Sequence, residues 1–177
     1  MFKHTGIVRR IDDAGRILIP REVRRRFRLH EGDPVEIGEN ENMVALRKYS
    51  VLELFGDTTQ KLIRCFSKMT DIPVILCNTT HALCSTMHMF SISRAAEQFK
   101  NVSMTTELSE AVRNENNNCI GLTISNETEH KVAFAEKIVV NGEIEGVLII
   151  PATGKKIADE HRTCLRFCAS AIASVAE

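Results

Sequence analysis

The sequence predicts two folding units: a small, mostly-β unit over residues 1–50, and a larger α+β unit over residues 71–177 with an antiparallel sheet and flanking helices. A helix at 51–70 joins them. Three observations carry this reading. Short β-branched segments separated by turns fill the first part, and apolar residues at heptad spacing run through 52–69 and 157–175. Asn141-Gly142 divides two long apolar runs, and it is the dipeptide a two-residue hairpin turn requires.

In the first unit, GIVRRI at 6–11 is β-branched enough for a strand. DDAG at 12–15 is a turn with Gly15 available for positive φ, and RILI at 16–19 is a second strand. Pro20 opens a short helix, because a fixed φ and a missing N–H cost nothing at a helix start. EGD at 31–33 leads into PVEIGE, where Val35 and Ile37 alternate with Glu36. The loop ENEN then turns the chain, and MVALRKY at 43–49 returns with Val44 and Leu46 on one face. Four short strands and one short helix bury little, and fewer than 50 residues lie near the lower limit for an independent core. This unit is therefore expected to complete its core by oligomerising.

Leu52, Phe55, Thr59, Leu62, Phe66 and Met69 follow a 3-4 alternation, which predicts a helix over 51–70 with a coiled-coil seam across a dimer axis. Beyond Pro73 the pattern gives strands at 73–78, 82–86, 119–126, 131–140 and 143–150, with helices at 92–99 and 105–114. A final helix from Lys155 to Ala176 carries Ile157, His161, Cys164, Cys168, Ala171 and Val175 on one stripe, widened by Leu165 and Ile172. The oligomer seam expected from the two helices comprises Leu52, Phe55, Leu62, Phe66, Ile157, Cys164, Cys168 and Ile172.

Composition narrows the function classes. At 177 residues and 44% hydrophobic, the chain can bury a real core. Its longest apolar run, GVLIIPA at 146–152, is far short of the ~20 residues that span a bilayer. A cytoplasmic protein without a membrane partner is expected. Six cysteines form no CxxC pair and lack a zinc-type histidine spacing, so they read as reduced core thiols, with no metal or resident cofactor expected. His81, Cys84, His88 and Cys119 are the nearest thing to a ligand or redox constellation. They read more simply as satisfied polar groups, core thiols and loop histidines.

The formal net charge of zero hides an asymmetry. Residues 1–28 hold nine Lys or Arg against three acids, whereas residues 29–48 and 49–177 are each acidic by three charges. A local excess of that size attracts polyanions even from a neutral molecule. On a helical projection Val23 and Phe27 form the inward stripe, and Arg21, Arg24, Arg25 and Arg28 share one outward arc. Arg26 falls on the other flank beside Glu22, in the favourable i, i+4 order for an ion pair. Guanidinium forks match phosphates and guanine edges, which accounts for arginine at eight of the nine basic positions and favours nucleic acid as the partner, with an anionic membrane or an acidic protein as the alternatives. Arg9 and Arg10 point to opposite faces of a regular strand, and the pattern leaves open which of them meets the ligand.

TGIVRRIDDAGRILIPREVRRRF closely resembles the DNA-binding module of the AbrB-type transition-state regulators, and the likeness continues through EGDPVEI to ALRKYS, covering about residues 4–50. The two-part layout resembles sporulation regulators in which such a module precedes a GAF-like domain, and IVVNGEIEGVLII is similar to a late GAF hairpin. The resemblance implies a swapped-hairpin barrel built from two chains. It also implies double-stranded DNA as partner, regulation of sporulation genes as activator or repressor, and a GAF-like domain that senses a small effector or merely dimerises; two helical seams per chain would allow dimers to pair into tetramers. By motif position it makes Arg9, Arg16, Arg24 and Arg25 the DNA contacts, with Lys3, Arg10, Arg21 and Arg28 on phosphates. No enzymatic activity is implied. Two other readings compete: an antitoxin that pairs this barrel with a toxin-wrapping tail, and a GAF-type thiol enzyme using Cys77, Cys84 or Cys119.

Overall fold

The computed structural model describes residues 5–40, 42–90 and 102–177; Lys3, the side chain of His88 and the helix expected at 92–99 lie outside the described residues. The chain divides into two compact units, Met1–Tyr49 and Ser50–Glu177.

In the N-terminal unit, helix α1 spans Arg21–Arg26, and strands β1 (Val35–Asn40) and β2 (Met43–Lys48) form an antiparallel hairpin. Its register sets Ile37 opposite Leu46 and Glu36 opposite Arg47, so Val35, Ile37, Val44 and Leu46 share one face. Asp33 ties the turn before β1 to the end of β2. Its carboxylate accepts the His30 N–H at 2.7 Å and the Lys48 ammonium at 2.8 Å. The segments 6–11 and 16–19, expected as strands, carry no ladder here. A strand needs a neighbour for its backbone groups, and among the described residues this chain offers these segments only the turn between them.

The C-terminal unit is built on a five-stranded antiparallel sheet, in the order β5-β4-β3-β7-β6. The strands are β3 (Ile75–Asn78), β4 (His81–Ser85), β5 (Val102–Ser103), β6 (Val132–Val140) and β7 (Glu143–Pro151). Both faces are covered, so the strands alternate between two cores. Leu76, Leu148 and Ile150 pack with helices α2 (Val51–Leu54), α3 (Gly56–Thr70) and α5 (Asp159–Ala176). Ile75, Cys77, Val147 and Ile149 pack with helix α4 (Thr106–Arg113). Thr105 caps α4, accepting the Leu108 N–H. At its other end the Lys137 ammonium donates to the carbonyls of Ala111, Asn114 and Asn117, closing backbone acceptors the helix leaves open. Asn141 (φ 51°) and Gly142 (φ 85°) join β6 to β7 with the two positive φ angles of a type I′ turn.

Three expectations are corrected. The predicted strand at 119–126 reduces to one bridge, Thr123 to Lys131, because Gly121 turns at φ 84°; the fifth strand is Val102–Ser103. The single helix at 51–70 breaks at Phe55, whose φ of −98° and ψ of 24° leave the helical basin. The last helix starts at Asp159 instead of Lys155. Gly154 adopts φ 80°, Lys155 pairs with Asp71 at 2.6 Å, and the His161 ring accepts the Ala158 N–H at the helix start.

The residues expected on an oligomer seam divide by burial. Leu52, Phe66, Cys168 and Ile172 are buried inside this unit's own core, and Phe55, Leu62, Ile157 and Cys164 are half-buried against it. The heptad spacing reports α3 packing on α5 and on the sheet of the same chain, because an intramolecular helix pair imposes the same periodicity as an intermolecular one. Among the described residues, no helix is long and apolar enough to cross a membrane.

Candidate nucleic-acid interface

The basic residues of the N-terminal unit sit on three local structures, each with its own cause. The first is the 12–16 turn. Asp12 Oδ1 accepts the backbone N–H groups of Ala14 (3.0 Å) and Arg16 (2.8 Å), while Oδ2 accepts Nε of Arg16 at 2.8 Å. Gly15 donates its N–H to the Asp12 carbonyl and takes φ 76°, as the turn requires. The Arg16 N–H, then its guanidinium, hold the Asp12 carboxyl below its ordinary 3.8. The guanidinium is thereby aimed through Nε while the rest of its fork faces solvent. Composition counts Asp12 only as an acid among bases. Its spacing four residues before Arg16, across a glycine turn, is the signal that identifies it as the residue orienting that arginine.

Helix α1 is the second. Pro20 precedes it, and its carbonyl accepts the Arg24 N–H at 2.9 Å. At the other end Leu29 N–H reaches the Arg24 carbonyl (2.8 Å) and Arg28 N–H the Arg25 carbonyl (3.3 Å). This is a Schellman closure, which places its C′ residue in the left-handed region. That residue is Arg28, at φ 52°, where glycine is the usual occupant. Arg21, Arg24 and Arg25 are exposed on the helix. Arg26 departs from expectation: among the described residues no ion pair joins it to Glu22, and its guanidinium lies 5.7 Å from the Phe27 ring centre.

The third is the extended 6–11 segment. Arg9 donates to the adjacent Val8 carbonyl at 2.9 Å, and both Arg9 and Arg10 are exposed. Neither belongs to a ladder that would fix its direction.

Pairing sorts the basic residues. Arg47 is matched to Glu36 and Lys48 to Asp33, so their charges are satisfied locally. Arg10, Arg21, Arg24 and Arg25 make no ion pair among the described residues. A cluster of guanidinium groups that few acids offset, on one small unit, is suited to a polyanion with regularly spaced charges.

The same unit leaves its apolar side chains uncovered. Val8 is 82% exposed and Phe27 60%, and Ile11, Leu18, Ile37 and Val44 are similarly open. That includes the whole apolar face of the β1–β2 hairpin and Phe27 of the α1 stripe that the helical projection turns inward, whose other member, Val23, is half-buried.

Residues 8–52 match the family described as antidote-toxin recognition MazE, bacterial antitoxin. The N-terminal unit is a MazE/AbrB-type domain. The chain is 42% identical over 78 residues to stage V sporulation protein T of Bacillus subtilis, a stretch covering 44% of each protein. It is 45% identical over 48 residues to the transition state regulatory protein AbrB of the same organism, covering 27% of this chain and 50% of that one. The matched stretches thus span about half the length of these curated relatives, and the first is longer than the N-terminal unit.

Proposed function

We propose that this protein is a DNA-binding transcription regulator acting at sporulation or the transition into it, and that it has no enzymatic activity. The observation that carries the reading is the coincidence, in one MazE/AbrB-type unit, of an arginine cluster that few acids offset with an uncovered apolar face. In this reading two chains interleave 6–11, 16–19 and the β1–β2 hairpin into one swapped-hairpin barrel. The apolar face becomes its core, and Arg9, Arg16, Arg24 and Arg25 of both copies meet double-stranded DNA. Lys3, Arg10, Arg21 and Arg28 take phosphates. The names of the two Bacillus relatives supply the sporulation and transition-state context.

The C-terminal unit is read as a GAF-like regulatory domain, on its antiparallel sheet with helices on both faces. Contact between copies would use the half-buried Phe55, Leu62, Ile157 and Cys164, in α3 and α5 or just before them, together with exposed Met69 of α3 and Phe167 of α5, which lets dimers pair into tetramers. The protein would act in the cytoplasm, where its DNA is. An antitoxin with a wrapping tail fits less well, since residues 50–177 form a packed unit. The thiol-enzyme reading also loses support. Burial pushes Cys77 and Cys119 above the ordinary thiol range, the opposite of what a nucleophilic thiolate needs.

The test is DNA binding by Arg24→Ala/Arg25→Ala across a salt series. Affinity should fall steeply, and the slope of log affinity on log salt should flatten by roughly one unit per phosphate the variant no longer reaches. Full retention of binding would overturn the site.

A further inference from the structure

The Asp12–Arg16 contact goes beyond what the turn requires. Oδ1 of Asp12 closes the turn alone, accepting the Ala14 and Arg16 N–H groups at 3.0 and 2.8 Å, and an asparagine oxygen would serve there equally well. Oδ2 has no part in the turn. It accepts Nε of Arg16 at 2.8 Å, a bond between side chains that fixes one edge of the guanidinium. Because two backbone donors already hold the carboxylate, the arginine is the partner that is placed.

The opposite edge is left open. Nη1 and Nη2 of Arg16 have no partner among the described residues, and the side chain is 79% exposed. Two N–H groups at fixed spacing match O6 and N7 of guanine in the major groove, and an untethered arginine reaches that match only by giving up its rotamer freedom. Phosphates make no such demand and carry no sequence information. Arg9, by contrast, gives Nη1 to the Val8 carbonyl, and Arg21, Arg24 and Arg25 have no carboxylate partner among the described residues. A carboxylate next to DNA repels phosphates of every sequence alike, so Asp12 is offset only where the fork it aims finds its base.

We propose that Asp12 is a positioning residue that sets sequence specificity: it presents the Nη1/Nη2 fork of Arg16 to one guanine edge and makes this arginine a reader of bases. The inference rests on the DNA-binding reading and deepens it. Asp12 lowers affinity for duplexes in general and raises the preference for those that place a guanine opposite Arg16. Asp13 separates this role from charge alone, since it is a neighbouring exposed acid with no ion pair among the described residues.

The experiment selects duplexes from a randomised DNA pool with the full wild-type chain, then measures binding of the selected duplex and a scrambled one by wild type, Asp12→Asn and Asp13→Asn. Both variants should hold the scrambled duplex as tightly as wild type or tighter. Asp12→Asn alone should lose about tenfold in preference for the selected duplex, with amide shifts outside the 12–16 turn unchanged, because asparagine keeps the turn. Exchanging each guanine in turn for 7-deazaguanine should reveal one position that costs wild type about tenfold and costs Asp12→Asn or Arg16→Ala about twofold at most. A wild-type chain that binds no duplex at all would overturn the DNA-binding reading itself. With DNA binding intact, the positioning role is overturned by any of four results: no sequence preference in wild type, full preference retained by Asp12→Asn, an equal loss in Asp13→Asn, or widespread shift changes with equal losses on both duplexes.

Discussion

Gly146 of β7 lies so close beneath Leu52 of α2 that a Cβ on the glycine would stand 2.5 Å from the leucine Cδ1 and 2.3 Å from the Cys77 carbonyl oxygen. The first turn of the C-terminal unit is thereby seated on the sheet. Gly146→Ala forces backbone as well as side chain to move, and overpacking of this kind costs about 1–3 kcal/mol. A stability loss near the top of that range is expected in urea unfolding. Leu52→Ala should relieve part of it when the two changes are combined; strict additivity would mean that the two residues do not press on each other.

The Asp12–Arg16 turn has a defined pH signature. Its carboxyl is held below 3.8 in the folded chain, so the stabilisation is fully present above 3.8 and is lost as pH falls through the depressed value; nothing changes near neutrality. Following the Asp12 carboxyl carbon by NMR should show a midpoint under 3.8, and Arg16→Ala should return it toward that value.

Arg28 carries a conformational penalty that glycine would not. Left-handed backbone costs an L-residue about 1–2 kcal/mol, so Arg28→Gly should exceed Arg28→Ala in stability by about 1 kcal/mol, even though both remove the same guanidinium. If the side chain also reaches phosphate, both variants should flatten the salt dependence of DNA binding equally, by roughly one unit for each phosphate left without its arginine.

Asp33 is 11% exposed and Lys48 17%, which makes theirs the most enclosed ion pair of the N-terminal unit among the described residues. Asp33→Ala takes one carboxylate acceptor from the ammonium and leaves the His30 N–H without its own. A loss of about 2 kcal/mol is expected, below the full cost of breaking a deeply buried pair. Lys48→Met should cost less, because it removes the ammonium and keeps most of the apolar stem.

Local chemistry was the most legible part of the sequence. Asn141-Gly142, the Gly15 turn and the strands flanking the hairpin turn follow from residue type alone, since the φ angles required exclude most alternatives. The outward arc of Arg21, Arg24 and Arg25 follows from helical geometry. What failed depends on which partner covers a face. Heptad spacing cannot distinguish α5 of the same chain from a second copy, and Leu52 and Phe66 are buried within their own unit. Residues 119–126 are apolar enough for a strand, and Gly121 decides otherwise through a conformation that composition does not reveal. Segments 6–11 and 16–19 have strand-forming residues and, among the described residues, no strand neighbour within the chain. Arg26 chose a ring next door over a carboxylate one turn back, a contest of small energies that spacing rules do not resolve.

The sheet order has a consequence for synthesis. β6 and β7 close through two residues and can pair as soon as both exist, but β3 pairs with β4 on one side and β7 on the other, Ile75 meeting Ile149. The central seam of the sheet therefore waits until most of the chain has left the ribosome. Helices α2 and α3 wait with it, since the surface they bury against is supplied by β7 and α5. The arginine-bearing segment emerges well before its own chain is finished and before the C-terminal sheet can close.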